Sequence, residues 1–249
     1  MIIKGKIFLI TGASGGIGKN LSLRFAEQGA KIIAIDKNKD KLKELASSNH
    51  NIDIFDFNLE NTKKISFLFD RIFKKFNTID VLINSAGIMY SSPIVSFKNG
   101  DLTLHGIDEW NKLLNINLTA TFCITANVVK NMISNRTKGL IINLSSISAR
   151  GNIGQSAYSA SKAGVEALSK TWSKELGPLG IRSISIAPGF IDSPGMHKAI
   201  DENHIKDWSK RTPLRRLGQI EEVSSAIQMV IENDYFNGSV INIDGGLVL

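Results

Sequence analysis

Cysteine is nearly absent. The chain has one, Cys123, so no internal disulfide framework can form, and a reducing compartment, the cytosol, is expected. Long apolar runs are lacking too. No stretch approaches the roughly 20 residues that a membrane-spanning helix needs, and the opening MIIKGKIFLITG runs into a strand pattern rather than a cleavable signal. The four histidines, His50, His105, His197 and His204, fall at no metal-ligand spacing, so no metal is expected. Basic runs are missing as well: the formal charge is +7, but the lysines are scattered, which argues against a nucleic-acid or membrane-surface partner. Without repeats, low-complexity tracts or linkers, 249 residues at 43% hydrophobic content read as one domain spanning 1–249.

What the chain does contain is a regular alternation. Seven short β-branched runs, KIFLI (6–10), KIIAI (31–35), NIDIF (51–55), DVLIN (80–84), GLIINL (139–144), RSISIA (182–187) and GSVINI (238–243), read as strands. They are nearly continuous in apolar residues rather than alternating, as strands covered on both faces of a parallel sheet must be. Helical patterns lie between them, near 17–28, 38–47, 60–76, 108–134, 156–176 and 219–232, the fifth stopped by Gly177 and Pro178. Strand, helix, strand throughout implies a doubly wound, seven-stranded parallel sheet with helices on both faces. Two segments, 88–107 and 189–213, are long connections after strand C-terminal ends, where open α/β sheets bind ligands.

Three local patterns carry chemistry. LITGASGGIGKN (9–20) puts Gly12, Gly16 and Gly18 between the first strand and the first helix. Glycines there allow a tight turn and close approach of backbone to a pyrophosphate at the helix N-terminus; the plainer alternative is only a tight turn. Asp36 ends the second strand, where a carboxylate can accept both hydroxyls of an adenosine ribose and repel a 2′-phosphate. NAD is therefore expected, with NADP left open because Lys37 or Lys39 can offset the repulsion. Asp56 and Phe57, after the third strand, are expected at an adenine edge, and Asn84 to Gly87 (NSAG) ends the fourth strand with small residues that let a cofactor approach. Finally, QSAYSASKAG (155–164) sets Tyr158 one helical turn before Lys162. By composition alone such a pair arises in about one chain in four. Its context matters more: a cation one turn from a phenol, with only small residues between them, would make the tyrosine an acid, whereas the plainer alternative is a packed tyrosine and a solvated lysine. Drawing the Tyr158 phenol from pKa ~10 to ~7 takes about 4 kcal/mol, which the Lys162 ammonium and an oxidised nicotinamide together could supply.

Together, TGASGGIG, NSAG and YSASK resemble the short-chain dehydrogenase/reductase family along essentially the full length. The resemblance implies a single Rossmann-type domain and a nicotinamide-dependent oxidoreductase acting on a carbonyl or secondary alcohol. It implies that Gly12, Ser14, Gly15, Gly16, Ile17 and Gly18 form the cofactor loop, that Asp36 selects the ribose, that Asp56 and Phe57 meet the adenine, and that Asn84, Ala86 and Gly87 lie behind the adenosine. Pro188, Gly189, Ile191 and Ser193 match the segment that binds the nicotinamide amide, and Tyr158 and Lys162 also contact the cofactor. Asn117, Ser146, Tyr158 and Lys162 match the catalytic set, Asn117 positioning a water that leads from Lys162 to solvent. Two departures stand out. Ser85 replaces a second asparagine, and either Ser145 or Ser146 can be the catalytic serine; the pattern IINLSS favours Ser146. The closing run IENDYFNGSVINIDGG and the long 88–107 connection are similar to 3-oxoacyl thioester reductases and 3-hydroxyacyl-CoA dehydrogenases. A carrier-bound acyl thioester is the first substrate expectation, with a sugar, polyol or steroid alcohol as alternative. In the 189–213 segment, Met196, Ile200, Ile205 and Trp208 could close over an acyl chain, and Lys198, Lys206, Lys210 and Arg211 could meet phosphates. A homotetramer is implied. A regulator that binds the dinucleotide without turnover is the reading from another class; it would not need the acid. An epimerase or dehydratase would need a larger C-terminal domain than the chain has room for.

Overall fold

The computed structural model describes every residue except 99, 194, 195 and 198–200. Its centre is the seven-stranded parallel sheet. The strands are β1 (Ile7–Thr11), β2 (Lys31–Asp36), β3 (Ile52–Asp56), β4 (Val81–Asn84), β7 (Gly139–Leu144), β8 (Ile181–Pro188) and β11 (Val240–Ile243). They lie in the order β11-β8-β7-β4-β1-β2-β3. The chain first winds outward from β1 through β2 to β3. It then returns to the other side of β1 with β4, so a crevice opens between the C-terminal ends of β1 and β4.

Each strand feeds two cores. Phe8, Ile10, Ile32, Ala34, Val81, Ile83, Leu140 and Ile142 pack on one face against α1 (Gly16–Glu27), α2 (Lys39–Ser48) and α8 (Ile220–Glu232). The intervening Leu9, Ile33, Ile35, Leu82 and Ile141 pack on the other, against α3 (Ile65–Phe73), α5 (Ala120–Ser134) and α6 (Ser156–Leu176). This double burial is why the strand sequences are continuously apolar. The edge strand β11 departs from it: alternate residues are open, and Val240 is 39% exposed.

Three irregularities were not legible as such. The expected helix near 108–134 is two helices, α4 (Ile107–Leu114) and α5, joined by a π-helical turn over Asn115–Thr119. The 88–107 connection contains a hairpin, β5 (Val95–Lys98) with β6 (Asp101–Leu104). The 189–213 segment holds the short strand β9 (Ile191–Asp192), paired with β10 (Gly218–Gln219), and α7 (Glu202–Arg211), which Asp201 caps by accepting from Asn203 N and His204 N. Among the described residues no helix is long and apolar enough to cross a membrane.

Candidate active site

The crevice is a cleft of about 760 Å³ that runs from Asp36 past the glycine loop to Tyr158 and the 189–213 segment. At its floor the loop and the end of β4 interlock. Gly12 adopts φ 66°, and a Cβ there would lie 2.7 Å from the Ala86 Cα; a Cβ on Gly18 would lie 2.2 Å from the Gly12 carbonyl oxygen. Only hydrogen fits at either position. The Thr11 hydroxyl accepts from both Ser85 N and Ala86 N at 3.1 Å, which ties β1 to β4 and supports the segment where Ser85 stands. Gly15 caps α1 and has no side chain to occupy the unpaired N–H groups of its first turn. Those groups and the helix dipole face the cleft, the arrangement a pyrophosphate needs.

At the adenosine end, Asp36 accepts from Ser14 N at 3.1 Å and Asn38 N at 3.0 Å, one bond on each carboxylate oxygen. Each oxygen keeps a lone pair for a ribose hydroxyl. Lys37 and Lys41 line this end. Lys39 does not; it turns to Asp56, 3.9 Å away. Asp56 itself is exposed and is not part of the cleft, so the adenine-edge expectation shifts: Phe57, Asn58 and Leu59 line the wall there instead. Asn84 shifts as well. It is 4% exposed and sits behind the cleft, where its amide donates to Asn143 Oδ1 at 2.7 Å and Thr125 Oγ1 at 3.1 Å. Its position is structural support; Ser85, Ala86 and Gly87 supply the lining.

Tyr158 and Lys162 occupy successive turns of α6. The Lys162 Nζ lies 5.7 Å from the centre of the Tyr158 ring and donates to the Leu144 carbonyl at 2.6 Å. Burial pushes this lysine down to about 8. In the protein by itself burial raises the Tyr158 pKa, and a hydrogen bond with the Ser146 hydroxyl opposes that rise. The ammonium is directed to the Leu144 carbonyl and does not figure among the groups that lower Tyr158. The two serines separate cleanly. The Ser145 hydroxyl turns into α6, donating to Glu166 Oε1 at 2.7 Å, whereas Ser146 faces Tyr158 and accepts from Ser148 N at 3.1 Å.

Asn117 lies in the π turn, buried, with its carboxamide paired to the main chain of Ile88: Oδ1 accepts from Ile88 N and Nδ2 donates to Ile88 O, both at 2.9 Å. The inserted residue of a π turn aims such a side chain where a regular helix would not. Gly87 lies between it and the lysine, since a Cβ there would be 3.4 Å from Asn117 Oδ1 and 3.6 Å from Lys162 Nζ.

Pro188, Gly189, Ile191 and Ser193 all line the cleft after β8. Beyond them Phe190 stacks on Trp208 with ring centres 4.3 Å apart and planes 5° from parallel. Met196, Trp208 and Arg211 reach the cleft. Ile205 is half-buried, Lys206 pairs with Glu202 at 3.8 Å and Lys210 is exposed away from the lining. Lys198 and Ile200 lie outside the described residues. Phe190, Lys41, Asn58 and Gln155 are lining residues that sequence reasoning missed. Lys41 lies in the first turn of α2, directly after the strand end that carries Asp36 and Lys37.

These features fit a nicotinamide dinucleotide: a glycine cradle that admits no side chain, unpaired helix N–H groups, a carboxylate at one end, and a half-buried phenol and a buried ammonium at the other. The short chain dehydrogenase family profile matches residues 6–204. The 3-oxoacyl-[acyl-carrier-protein] reductase FabG of Thermotoga maritima is 40% identical, with both chains covered in full. The 3-hydroxyacyl-CoA dehydrogenase type-2 of Rattus norvegicus is 32% identical over 98% of this chain and 96% of its own. A crystal structure of a short chain dehydrogenase from Bacillus anthracis superposes with a TM-score of 0.87 at 33% identity, covering 98% of this chain and 97% of that one. The chain belongs to the short-chain dehydrogenase family and is a nicotinamide-dependent oxidoreductase of CH–OH and carbonyl groups.

Proposed function

We propose that the protein reduces 3-oxoacyl thioesters, carried on an acyl carrier or coenzyme A, with NADH as the preferred cofactor. The observation that supports this most is the full-length, 40% identity to a 3-oxoacyl-carrier reductase, combined with a cleft whose outer end is apolar and aromatic at Phe190, Met196 and Trp208. A nicotinamide held in the cleft supplies the hydride. Tyr158 gives its proton to the carbonyl oxygen as charge develops there, and general acid catalysis of this kind is worth about 10²–10⁴-fold. Because burial holds the phenol protonated well into the alkaline range, the resting site carries the acid form that reduction consumes. Ser146 bonds the same oxygen and fixes it against Tyr158. Lys162, at about 8, remains largely protonated at neutral pH, faces the phenolate left behind and releases a proton more readily than a solvated lysine. Asn117 keeps one Oδ1 lone pair, beyond the bond from Ile88, for a water leading from Lys162 to solvent.

Asp36 supports NAD over NADP because its carboxylate would face the extra phosphate at short range, although Lys37 and Lys41 stand beside it. A homotetramer in the cytosol completes the reading. It is supported by open apolar side chains on α5, α8 and β11, among them Phe122 at 50% exposure. The deciding experiment measures kcat/KM with acetoacetyl thioesters and with polyol, sugar and steroid alcohols, each with both cofactors. Thioester turnover with NADH favoured at least tenfold is expected. No turnover of thioesters, or equal use of NADPH, overturns the corresponding part. Light scattering that finds a stable monomer of 27.3 kDa at micromolar concentration refutes the assembly.

A further inference from the structure

Among the described residues four cations line the cleft, and three have an evident place. Lys37 and Lys41 flank Asp36 at the adenosine end, and Lys162 is buried beside Tyr158. The fourth is Arg211, the last residue of α7, exposed at the rim on the substrate side. It stands three residues after Trp208, so both side chains share one face of the helix. Trp208 is held flat against Phe190, which makes this part of the rim a rigid aromatic wall ending in a guanidinium. Two nearby cations are neutralised within the fold, since Arg216 makes two bonds of 2.7 Å to the Glu222 carboxylate and Lys206 faces Glu202; Lys210 and Arg215 are exposed but do not line the cleft. Among the described residues Arg211 makes no ion pair.

Between this rim and the phenol, the segment joining β7 to α6 contributes Ser148, Asn152 and Gln155 to the lining. Asn152 Nδ2 donates to Gln155 Oε1 at 3.2 Å, which orients the two amides as a pair. The route inward from Arg211 is thus aromatic on one element and amide-bearing on another. A ligand that matches it is long and flexible, carries amides of its own, and ends in an anion.

We propose that Arg211 binds a phosphate on the arm that carries the acyl thioester, and so sets the preference for carrier-linked over free substrates; this rests on the thioester reading above. The arm common to acyl carriers and coenzyme A has two amides and a phosphate at its far end, and the planar guanidinium matches phosphate oxygens two at a time. A rim charge of this kind acts on binding rather than on chemistry.

The test compares three substrates with one acyl group: acetoacetyl-CoA, acetoacetyl carrier protein, and the acetoacetyl thioester of N-acetylcysteamine, which has no phosphate. For Arg211→Gln, KM for the phosphate-bearing substrates should rise about tenfold relative to any change with the phosphate-free one, with kcat within twofold; Arg211→Lys should recover part of the loss. Loss with both phosphate-bearing substrates assigns the phosphate that the arm shares, and loss with coenzyme A alone assigns the phosphates of its nucleotide. Equal effects on all three substrates, or none on any, overturn the proposal, the former by reducing Arg211 to a helix-end charge that steadies α7. Wild-type protein that turns over none of the three overturns the thioester reading itself, before any variant is considered.

Discussion

Replacing Lys162 by methionine removes a buried cation and should show how much stability the site gives up for it. The ammonium is 5% exposed, and burial lowers its pKa from 10.5 to about 8. At about 1.4 kcal/mol per unit, keeping it charged inside the fold costs about 3 kcal/mol. The cost applies in full below pH 8, shrinks between pH 8 and 10.5, where the unfolded chain still binds the proton and the folded one does not, and is gone above 10.5. Wild-type stability therefore rises with pH in that window relative to Lys162→Met, which has no such group. The variant also orphans the Leu144 carbonyl that Lys162 now satisfies, a penalty of about 1–3 kcal/mol that does not depend on pH. At pH 7 the two effects nearly offset, so the absolute difference is a poor readout and its pH slope is a good one. Urea unfolding at fixed protein concentration should show the wild type gaining about 2 kcal/mol on the variant between pH 8 and 10. A difference that stays flat across that range would refute burial as the cause of the lowered pKa. Turnover should be lost in the same variant, since the route proposed from Asn117 and its water to Tyr158 loses the ammonium that passes the proton on.

Tyr158→Phe should lower kcat at least a hundredfold while leaving the Kd for NADH within threefold, measured by nicotinamide fluorescence; a residual rate above a tenth of wild type refutes the acid. Ser146→Ala should lower kcat about a hundredfold by removing a donor to the developing oxyanion. Ser145→Ala should instead act on stability, because its hydroxyl is engaged with Glu166, and reversed effects would reassign the serine. Gly18→Ala places a Cβ against the Gly12 carbonyl at 2.2 Å, so thermal unfolding should fall by the equivalent of about 1–3 kcal/mol and NADH affinity at least tenfold.

The sheet was legible because its residues have nowhere exposed to point. In β1, Phe8 and Ile10 enter one core while Leu9 enters the other, and this pattern survives in the sequence as an unbroken apolar run. The hairpin over 95–104 has a different signature, a short alternation in which Val95, Phe97, Leu102 and Leu104 pair across the strands on one face; Phe97, Leu102 and Leu104 are all more than 70% exposed, so no unbroken apolar run forms and the two four-residue strands read only as part of a long connection. The π turn at Asn115–Thr119 is hidden for another reason. Inserting one residue shifts the helical phase by about 100°, and the flanking apolar residues still read as one long helix. Of the pair expected at the adenine edge, Phe57 lines the cleft and Asp56 does not, because the lining begins one residue past the last carboxylate of the strand. The direction of the Tyr158 shift needed a burial that spacing along a helix cannot supply.

Buried polar groups gather at the same end of the sheet as the cleft. Asn84 and Asn143 close β4 and approach the end of β7; the Asn143 amide passes on to Ser169 Oγ at 2.7 Å, which in turn accepts from Ser185 Oγ at 2.7 Å on β8. This chain joins three adjacent strands to α6, the helix that carries Tyr158 and Lys162. Desolvated amides and hydroxyls are stabilising only when their partners are in place, so the network tolerates one register of α6 against the strand ends and few others. A one-turn slip of α6 would move Ser169 out of reach of Asn143 and Ser185 and carry Tyr158 away from Ser146. The polar residues that interrupt the apolar runs VLIN and IINL thus fix the helix from beneath the sheet, at the cost of local stability, and hold the phenol where a carbonyl oxygen can meet it.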